Sequence, residues 1–204
     1  GRFAVYFHCS PDQLGIEQVR QYQVHLFEER KLKPHTVMVQ MCALRFLYLK
    51  VLKRPFQRDD LPLPKTPRTL PTVLSTGETA RLIDGAANLH HRTILMTLYA
   101  TGIRRAELCR LQTQDIDSAR MMIHIRHGKG GKDRDVPLSS TLLTQLRAYW
   151  RSLPPEQRTS WLFPSLQRRH SGEPITSKTV WHACRVAARR AGLTKNIHPH
   201  TLLH

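Results

Sequence analysis

Three short stretches of this 204-residue chain carry side chains at spacings that can do chemistry on a phosphate. The first is Thr101-Gly102-Ile103-Arg104-Arg105-Ala106-Glu107-Leu108, where two arginines follow a glycine break and an acid sits three residues past the first. An arginine at such a break can offer its planar fork to a phosphate, with Glu107 orienting it; the same spacing also suits a plain exposed Arg–Glu pair. The second is Gly128-Lys129-Gly130-Gly131-Lys132, whose glycines let the backbone turn and approach another molecule while the lysines project from a loop. That suits groove insertion or proton donation. The G-x-x-x-x-G-K-S/T spacing of a P-loop is absent, and an ordinary polar hairpin stays open as the alternative. The third is His198-Pro199-His200-Thr201-Leu202-Leu203-His204. Its histidines suggest metal, but no Cys, Asp or Glu lies within the segment to complete a ligand set, so no metal is read.

These stretches need elements to hold them. Hydrophobic residues recur at helical spacing through residues 10–54. Ser10-Pro11-Asp12-Gln13 reads as the N-cap and first turn of a helix bearing Ile16, Val19, Tyr22, Leu26 and Phe27. After Pro34 a second helix places Val37, Met41, Leu44, Tyr48 and Val51 on one face, with Arg45, Lys50 and Lys53 on the other. Pro55, Pro62, Pro64, Pro67 and Pro71 exclude helix and central strand, so 55–74 reads as an extended linker. Ser75-x-x-Glu78 is a capping box opening a second domain over 75–204. There Ile94, Leu95, Leu98 and Tyr99 predict the buried face of a helix that Gly102 ends. His90-His91 reads as a surface or capping pair. Met121–Ile125 alternates like a half-buried strand and returns through Arg134-Asp135-Val136 as a hairpin. Helices are expected near 139–152 and 178–191, the latter with Val180, Trp181, Cys184, Ala187, Ala188 and Ala191 on one face, His182 on its polar face and Gly192 as its stop. The fold class is mainly α with a small antiparallel β-sheet.

Composition narrows the partner. Lys plus Arg is 32 against 15 Asp plus Glu, a net charge of +17. The excess is +5 over 1–54 and +11 past residue 75, so it is built into both ordered regions rather than held in a tail. That excludes an ordinary near-neutral enzyme surface and points to a polyanion, with nucleic acid favoured because neutralising phosphates releases counterions. No segment has the length of a transmembrane helix and no single basic amphipathic helix dominates, so no membrane partner is read. Cys9, Cys42, Cys109 and Cys184 are scattered, as reduced cytosolic thiols are. The chain opens on Gly1-Arg2-Phe3, neither an initiator methionine nor a signal peptide, which suits a fragment or a processed chain.

Taken in order, the three stretches resemble the tyrosine recombinase (phage integrase) family. Tyr99 to Leu108, then Leu111 and Asp115-Ile116-Asp117, is similar to its first arginine box; Gly128 to Leu138 resembles its lysine hairpin; His198 to Leu202 resembles the opening of its second box, written H-x-L-R-H. Residues 1–54 are similar to its helical, SAM-like core-binding domain. The resemblance implies that this domain and an α+β catalytic domain clamp double-stranded DNA, the linker crossing between them. It implies metal-free, cofactor-free transesterification, in which a tyrosine attacks a DNA phosphate and leaves a 3′-phosphotyrosyl bond. Carried over, Arg104 clamps the non-bridging oxygens, Lys129 is the general acid for the 5′-oxygen, His200 is the second-box acid/base and phosphate donor, and Glu107 supports the arginine. Covalent capture conserves the phosphodiester energy, so no ATP is required. A bacterial, cytoplasmic, nucleoid-associated location follows.

The pattern departs at Leu203, where the family carries arginine. A leucine offers neither donor nor charge, and losing one clamp arginine costs about 3–4 kcal/mol of transition-state stabilisation. The family's third-box His or Trp and its nucleophilic tyrosine lie downstream of this region, whereas Tyr6, Tyr22, Tyr48, Tyr99 and Tyr149 all precede His200; Tyr22, Tyr48 and Tyr99 look packed against helices. The chain is therefore read as C-terminally truncated and unable to cleave DNA alone. Family members assemble as tetramers on DNA through the downstream tail, so a stable tetramer is not expected here. DNA contacts are expected from Lys31, Lys33, Thr36, Arg45, Lys50 and Lys53 in the first domain. In the second they are expected from Arg105, Arg126, Lys132, Arg134, Lys178, Arg185, Arg189 and Arg190, mostly to phosphates that position without specifying. Two other readings are a DNA-binding decoy or regulator without catalysis, and a basic RNA-associated protein. The second of these would expose aromatics for stacking, yet aromatics are only 7% and fall mostly at core spacing.

Overall fold

The computed structural model describes residues 1–61, 63–65, 70, 72–126, 128, 131–167 and 172–203. The chain divides into two compact units, Gly1–Leu70 and Pro71–His204.

The first unit is helical: α1 (Arg2–Phe7), α2 (Ile16–Glu28) and α3 (Pro34–Phe46), the last running on into a wider turn over Leu47–Val51. Val19, Tyr22 and Leu26 of α2 meet Val37, Met41, Leu44 and Tyr48, and Phe3 of α1 closes the cluster edge-on to Tyr22 at 5.2 Å. The short α1 has no long periodic run of its own and depends on this packing. Ser10–Gln13 does not open α2. It forms an isolated 3-10 turn at Pro11–Gln13, because Leu14 is extended; α2 starts at Ile16, where the Gly15 N–H donates to Gln18 Oε1 (2.9 Å). Tyr48 donates to the Pro11 carbonyl (2.8 Å), tying that turn down. Residues of Phe56–Leu61 and Leu63 pack on this unit: Leu61 is buried, Phe56 and Leu63 lie against the cluster, and Arg58–Asp60 forms a 3-10 turn. Pro62, Pro67 and Pro71 lie outside the described residues.

The second unit is built around α5 (Leu89–Thr101), which touches α4 (Thr76–Asp84), α6 (Arg105–Cys109), α7 (Ser140–Ser152), α8 (Ser177–Arg190) and the 3-10 turn Pro199–Leu203. Ile94, Leu95 and Leu98 are fully buried. Thr93 and Thr97, also buried, donate back to the carbonyls of Leu89 (2.8 Å) and Thr93 (2.7 Å), so the central helix leaves neither hydroxyl unpaired. The capping box forms as the sequence predicts: the Ser75 N–H donates to Glu78 Oε2 (2.8 Å) and the Glu78 N–H to Ser75 Oγ (3.2 Å). Gly102 ends α5 at φ +61°, a left-handed conformation that an L side chain resists, and Gly192 closes α8 at φ +64°.

The hairpin appears as β2 (Met122–Ile125) against β3 (Arg134–Pro137), with Ile123 opposite Val136 and Ile125 opposite Arg134. A strand that the sequence pattern does not separate, β1 (Ile116–Asp117), completes an antiparallel sheet in the order β1-β2-β3. Four placements are corrected. Tyr99 and Trp181 are 45% and 41% exposed rather than core; Tyr99 lies off the Ile94–Leu98 face, and Trp181 carries the Arg185 guanidinium 4.7 Å above its ring. His90 is buried rather than a surface residue, because its Nδ1 finds the Tyr149 hydroxyl in the core. Neither histidine caps the helix: Asn88 is the N-cap of α5, its Oδ1 accepting the His91 N–H (2.8 Å), and His91 is half-buried; His182 is exposed on α8.

Candidate active site

The break after α5 sets the first part of the site. Gly102 turns the chain, Ile103 anchors it in the core, and Arg104 becomes the N-cap of α6, with the Glu107 side chain folding back onto it. Glu107 Oε2 accepts the Arg104 backbone N–H (2.8 Å) and Oε1 accepts Arg104 Nη1 (3.0 Å). The Glu107 side chain is only 7% exposed, whereas that of Arg104 is 46% exposed. Arg104 is thus held by its backbone and by Nη1, with the rest of its fork open.

The second part comes from the hairpin. Arg134, the first residue of β3, meets Glu107 with both terminal nitrogens: Nη1 to Oε1 at 2.9 Å and Nη2 to Oε2 at 2.7 Å. The two arginines hold the Glu107 carboxyl at about 2, far below the usual carboxylate range; the hydrogen bond from Arg134 is the largest cause, and burial opposes it. Gly128 lies beside this pair. A Cβ there would stand 2.7 Å from the Lys132 carbonyl and 2.8 Å from Arg134 Nη1, so a bare backbone is required. The Gly128 N–H donates to the Lys132 carbonyl (3.0 Å) and the Gly131 N–H to the Gly128 carbonyl (2.9 Å), closing the loop at its base. His127, Lys129 and Gly130 lie outside the described residues.

The third part is the turn Pro199–Leu203, which packs on α5 and α8. Thr201 is buried and its hydroxyl receives the His198 N–H (3.2 Å) and meets His198 Nδ1 (3.2 Å), leaving His200 exposed with its ring 6.3 Å from that of His198. One helix therefore carries the arginine box at its C-terminal end and supports the histidine turn. Among the described residues no group of three or more His, Cys, Asp and Glu side chains is placed to hold a metal ion.

The basic residues singled out for DNA divide into two groups. Lys31, Lys33, Thr36, Lys50 and Lys53 in the first unit, and Lys132, Lys178, Arg185, Arg189 and Arg190 in the second, are exposed; Arg105 is half-buried. Three arginines are instead engaged within the chain. Arg45 donates to the carbonyls of Leu61 (Nε, 3.1 Å) and Arg58 (Nη2, 2.6 Å), holding the stretch after α3; Arg126 Nη2 lies 2.7 Å from the buried Asp115 carboxylate; Arg134 is spent on Glu107. Sequence reasoning missed the role of Arg134 and Gly128. Strand alternation held a signal, since Arg134 shares the inward face with buried Val136 while Asp135 points outward to His124 (2.7 Å). An arginine on an inward face needs a carboxylate partner.

Comparison with known proteins agrees with this architecture. Residues 72–204 match the Phage integrase family and residues 1–58 match the Phage integrase, N-terminal SAM-like domain. The chain is 42% identical over 203 residues to y4qK of Sinorhizobium fredii, provisionally named an integrase/recombinase, covering 99% of this chain and 64% of that protein. It is 34% identical over 157 residues to tyrosine recombinase XerA of Pyrococcus horikoshii, covering 77% of this chain and 53% of the relative. The crystal structure of a lambda integrase dimer bound to a COC′ core site superposes with a TM-score of 0.72 at 16% identity, over 93% of this chain and 71% of that one, a likeness of fold. The chain thus spans about half to two thirds of the length of these curated relatives. Among the described residues no helix is long and apolar enough to cross a membrane. On the matches to both domains, the chain belongs to the phage integrase family of tyrosine recombinases.

Proposed function

We propose that residues 1–204 bind duplex DNA and supply part of the phosphate-handling machinery of site-specific strand cleavage and rejoining. The observation that carries this reading is the Arg104–Glu107 pair, which fixes an arginine by its backbone and one nitrogen while leaving its guanidinium open to an anion, beside the base of a lysine-bearing loop. In this reading Arg104 binds the non-bridging oxygens of the scissile phosphate, where charge builds in the transition state, and His200 donates to the same group. Lys129 protonates the departing 5′-oxygen. Residues 1–54 grip DNA as a helical domain, 55–74 link, and 75–204 carry the catalytic groups. The exposed lysines and arginines bind phosphates, and the protein acts in a bacterial cytoplasm, at the nucleoid.

We further propose that the 204-residue chain occupies DNA without cutting it. Leu203 removes one donor from the phosphate clamp. Tyr22, Tyr48 and Tyr149 are buried, and the phenols of all three are pushed up by burial. A polypeptide with this behaviour acts as a decoy or regulator at the DNA ends its family partners use. The test is a nicked suicide duplex incubated with the chain and resolved on a denaturing gel, beside a mobility shift on duplex DNA and on structured RNA. Salt-dependent binding to duplex without a covalent adduct is the expected result. A trapped adduct refutes the loss of cleavage, and preference for RNA refutes the DNA reading.

A further inference from the structure

The carboxylate of Glu107 has about four acceptor positions, and the structure fills all of them with two arginines. Arg104 supplies its backbone N–H and Nη1; Arg134 supplies Nη1 and Nη2. The three side chains sum to one positive charge. The carboxylate is buried, and the bidentate fork, the geometry that best neutralises a carboxylate, belongs to Arg134 rather than Arg104. The Arg104 side chain reaches Glu107 through Nη1 alone and is the more exposed of the two arginines, 46% against 36%. If Arg134 were absent, Glu107 would have Arg104 as its counter-ion, and the cluster would fall from a net charge of one to zero at the position where a phosphate is to be bound. Arg134 also stands at the foot of the Gly128–Lys132 loop, against which Gly128 packs without room for a Cβ. The same ion pair that satisfies Glu107 therefore fastens the loop to the arginine box.

We propose that Arg134 is a positioning residue and not a DNA ligand: by occupying Glu107 it lets that carboxylate anchor Arg104 without neutralising it, and it ties the lysine-bearing loop to the arginine box. This rests on the DNA-binding reading above, with Arg104 as a phosphate ligand. It departs from the reading of Arg134 as one more phosphate ligand, because the paired face of its fork, Nη1 and Nη2 side by side, is turned onto Glu107.

The experiment measures the salt dependence of binding to a labelled duplex by fluorescence anisotropy for the full chain and its Arg104→Gln, Arg134→Gln and double variants. Removing one phosphate ligand from the protein lowers the slope of log K against log salt by about 0.9. Arg134→Gln is expected to lower it by about that amount, as Arg104→Gln does, and the double variant is expected to lose no more than either. Glu107→Gln combined with Arg134→Gln is expected to restore the slope, because the charge that captures Arg104 is gone, while amide exchange at Gly128, Gly131 and Lys132 becomes faster than in the wild-type chain, because the loop has lost its tie. Arg134→Lys, which keeps the charge, controls for folding and is expected to hold the wild-type slope. Additive losses in the double variant, or no restoration on removing the Glu107 charge, overturn the proposal. A DNA-free readout separates it from the reading on which it rests: the Glu107 side-chain carbon is followed by NMR as pH falls. Its midpoint is expected to rise in Arg134→Gln, and an unmoved midpoint overturns the proposal whether or not the chain binds DNA. Absence of salt-dependent binding by the wild-type chain overturns the DNA reading by itself.

Discussion

The hydroxyl of Tyr149 lies 2.9 Å from Nδ1 of His90, and both side chains are buried in the core of the second unit. The pair joins α7 to α5, with Phe163 stacked on the Tyr149 ring at 5.5 Å. Tyr149→Phe leaves His90 with an unmet buried nitrogen and is expected to cost about 1–3 kcal/mol, read as a lower denaturant midpoint at unchanged slope. Loss of DNA binding without loss of stability in this variant would show that the hydroxyl has a role outside the core.

Burial, with a smaller contribution from neighbouring His91, holds His90 down at about 4. Its folded value lies below its unfolded one, so the unfolded state binds the extra proton as pH falls. Stability is therefore lost as pH drops from about 6.5 toward 4, by on the order of 3 kcal/mol if this group acts alone. Chemical denaturation across that window should show the loss, and His90→Gln should flatten it.

His124 behaves with the opposite sign. It stands between Asp135, 2.7 Å from its Nδ1, and Asp133, 3.6 Å from its Nε2, and the hydrogen bond to Asp135 raises its pKa above 6.5. What it contributes is fully present below the unfolded value and is lost as pH rises through the raised one. Amide exchange in β2 and β3 is expected to quicken as pH passes above 6.5, after correction for intrinsic exchange, and to lose that dependence in His124→Gln.

Glu107 sets the acid side of the candidate site. Its carboxyl is lowered to about 2, so its contribution is present above the unfolded value near 4.5 and disappears as pH falls toward 2. Glu107→Ala strands two arginines beside a buried gap and is expected to cost about 3–5 kcal/mol at neutral pH. Thermal melts at about pH 7 and about pH 3 should show a difference between variant and wild type that shrinks at the lower pH.

Gly128→Ala tests the close approach of the loop to the ion pair. The added Cβ meets the Lys132 carbonyl at 2.7 Å and Arg134 Nη1 at 2.8 Å, so either the loop or Arg134 must move. A cost of about 1–3 kcal/mol is expected. Faster amide exchange at Gly131 and Lys132 should accompany it, and an unchanged melting temperature would contradict the packing described.

Features written in local chemistry were legible in the amino-acid sequence alone. Gly102 and Gly192 had to end their helices, Ser75 and Glu78 had to cap one, and the alternation of Met121–Ile125 with a glycine-rich turn had to make a hairpin. The order of the arginine box, lysine loop and histidine turn identified the family, because motif order survives without coordinates. Which charges are free was settled only by the three-dimensional fold. Arg45, Arg126 and Arg134 look the same in sequence as Arg185 or Arg189, and only pairings made across 11 to 27 positions of chain consume them. The same holds for His90, a polar residue whose burial depends on a hydroxyl 59 positions away. Helical period and turn chemistry act over a few residues and can be read locally. Strand alternation can mark Arg134 as inward-facing, but which distant partner meets a buried charge or hydroxyl is set by what the fold delivers, and spacing does not name it.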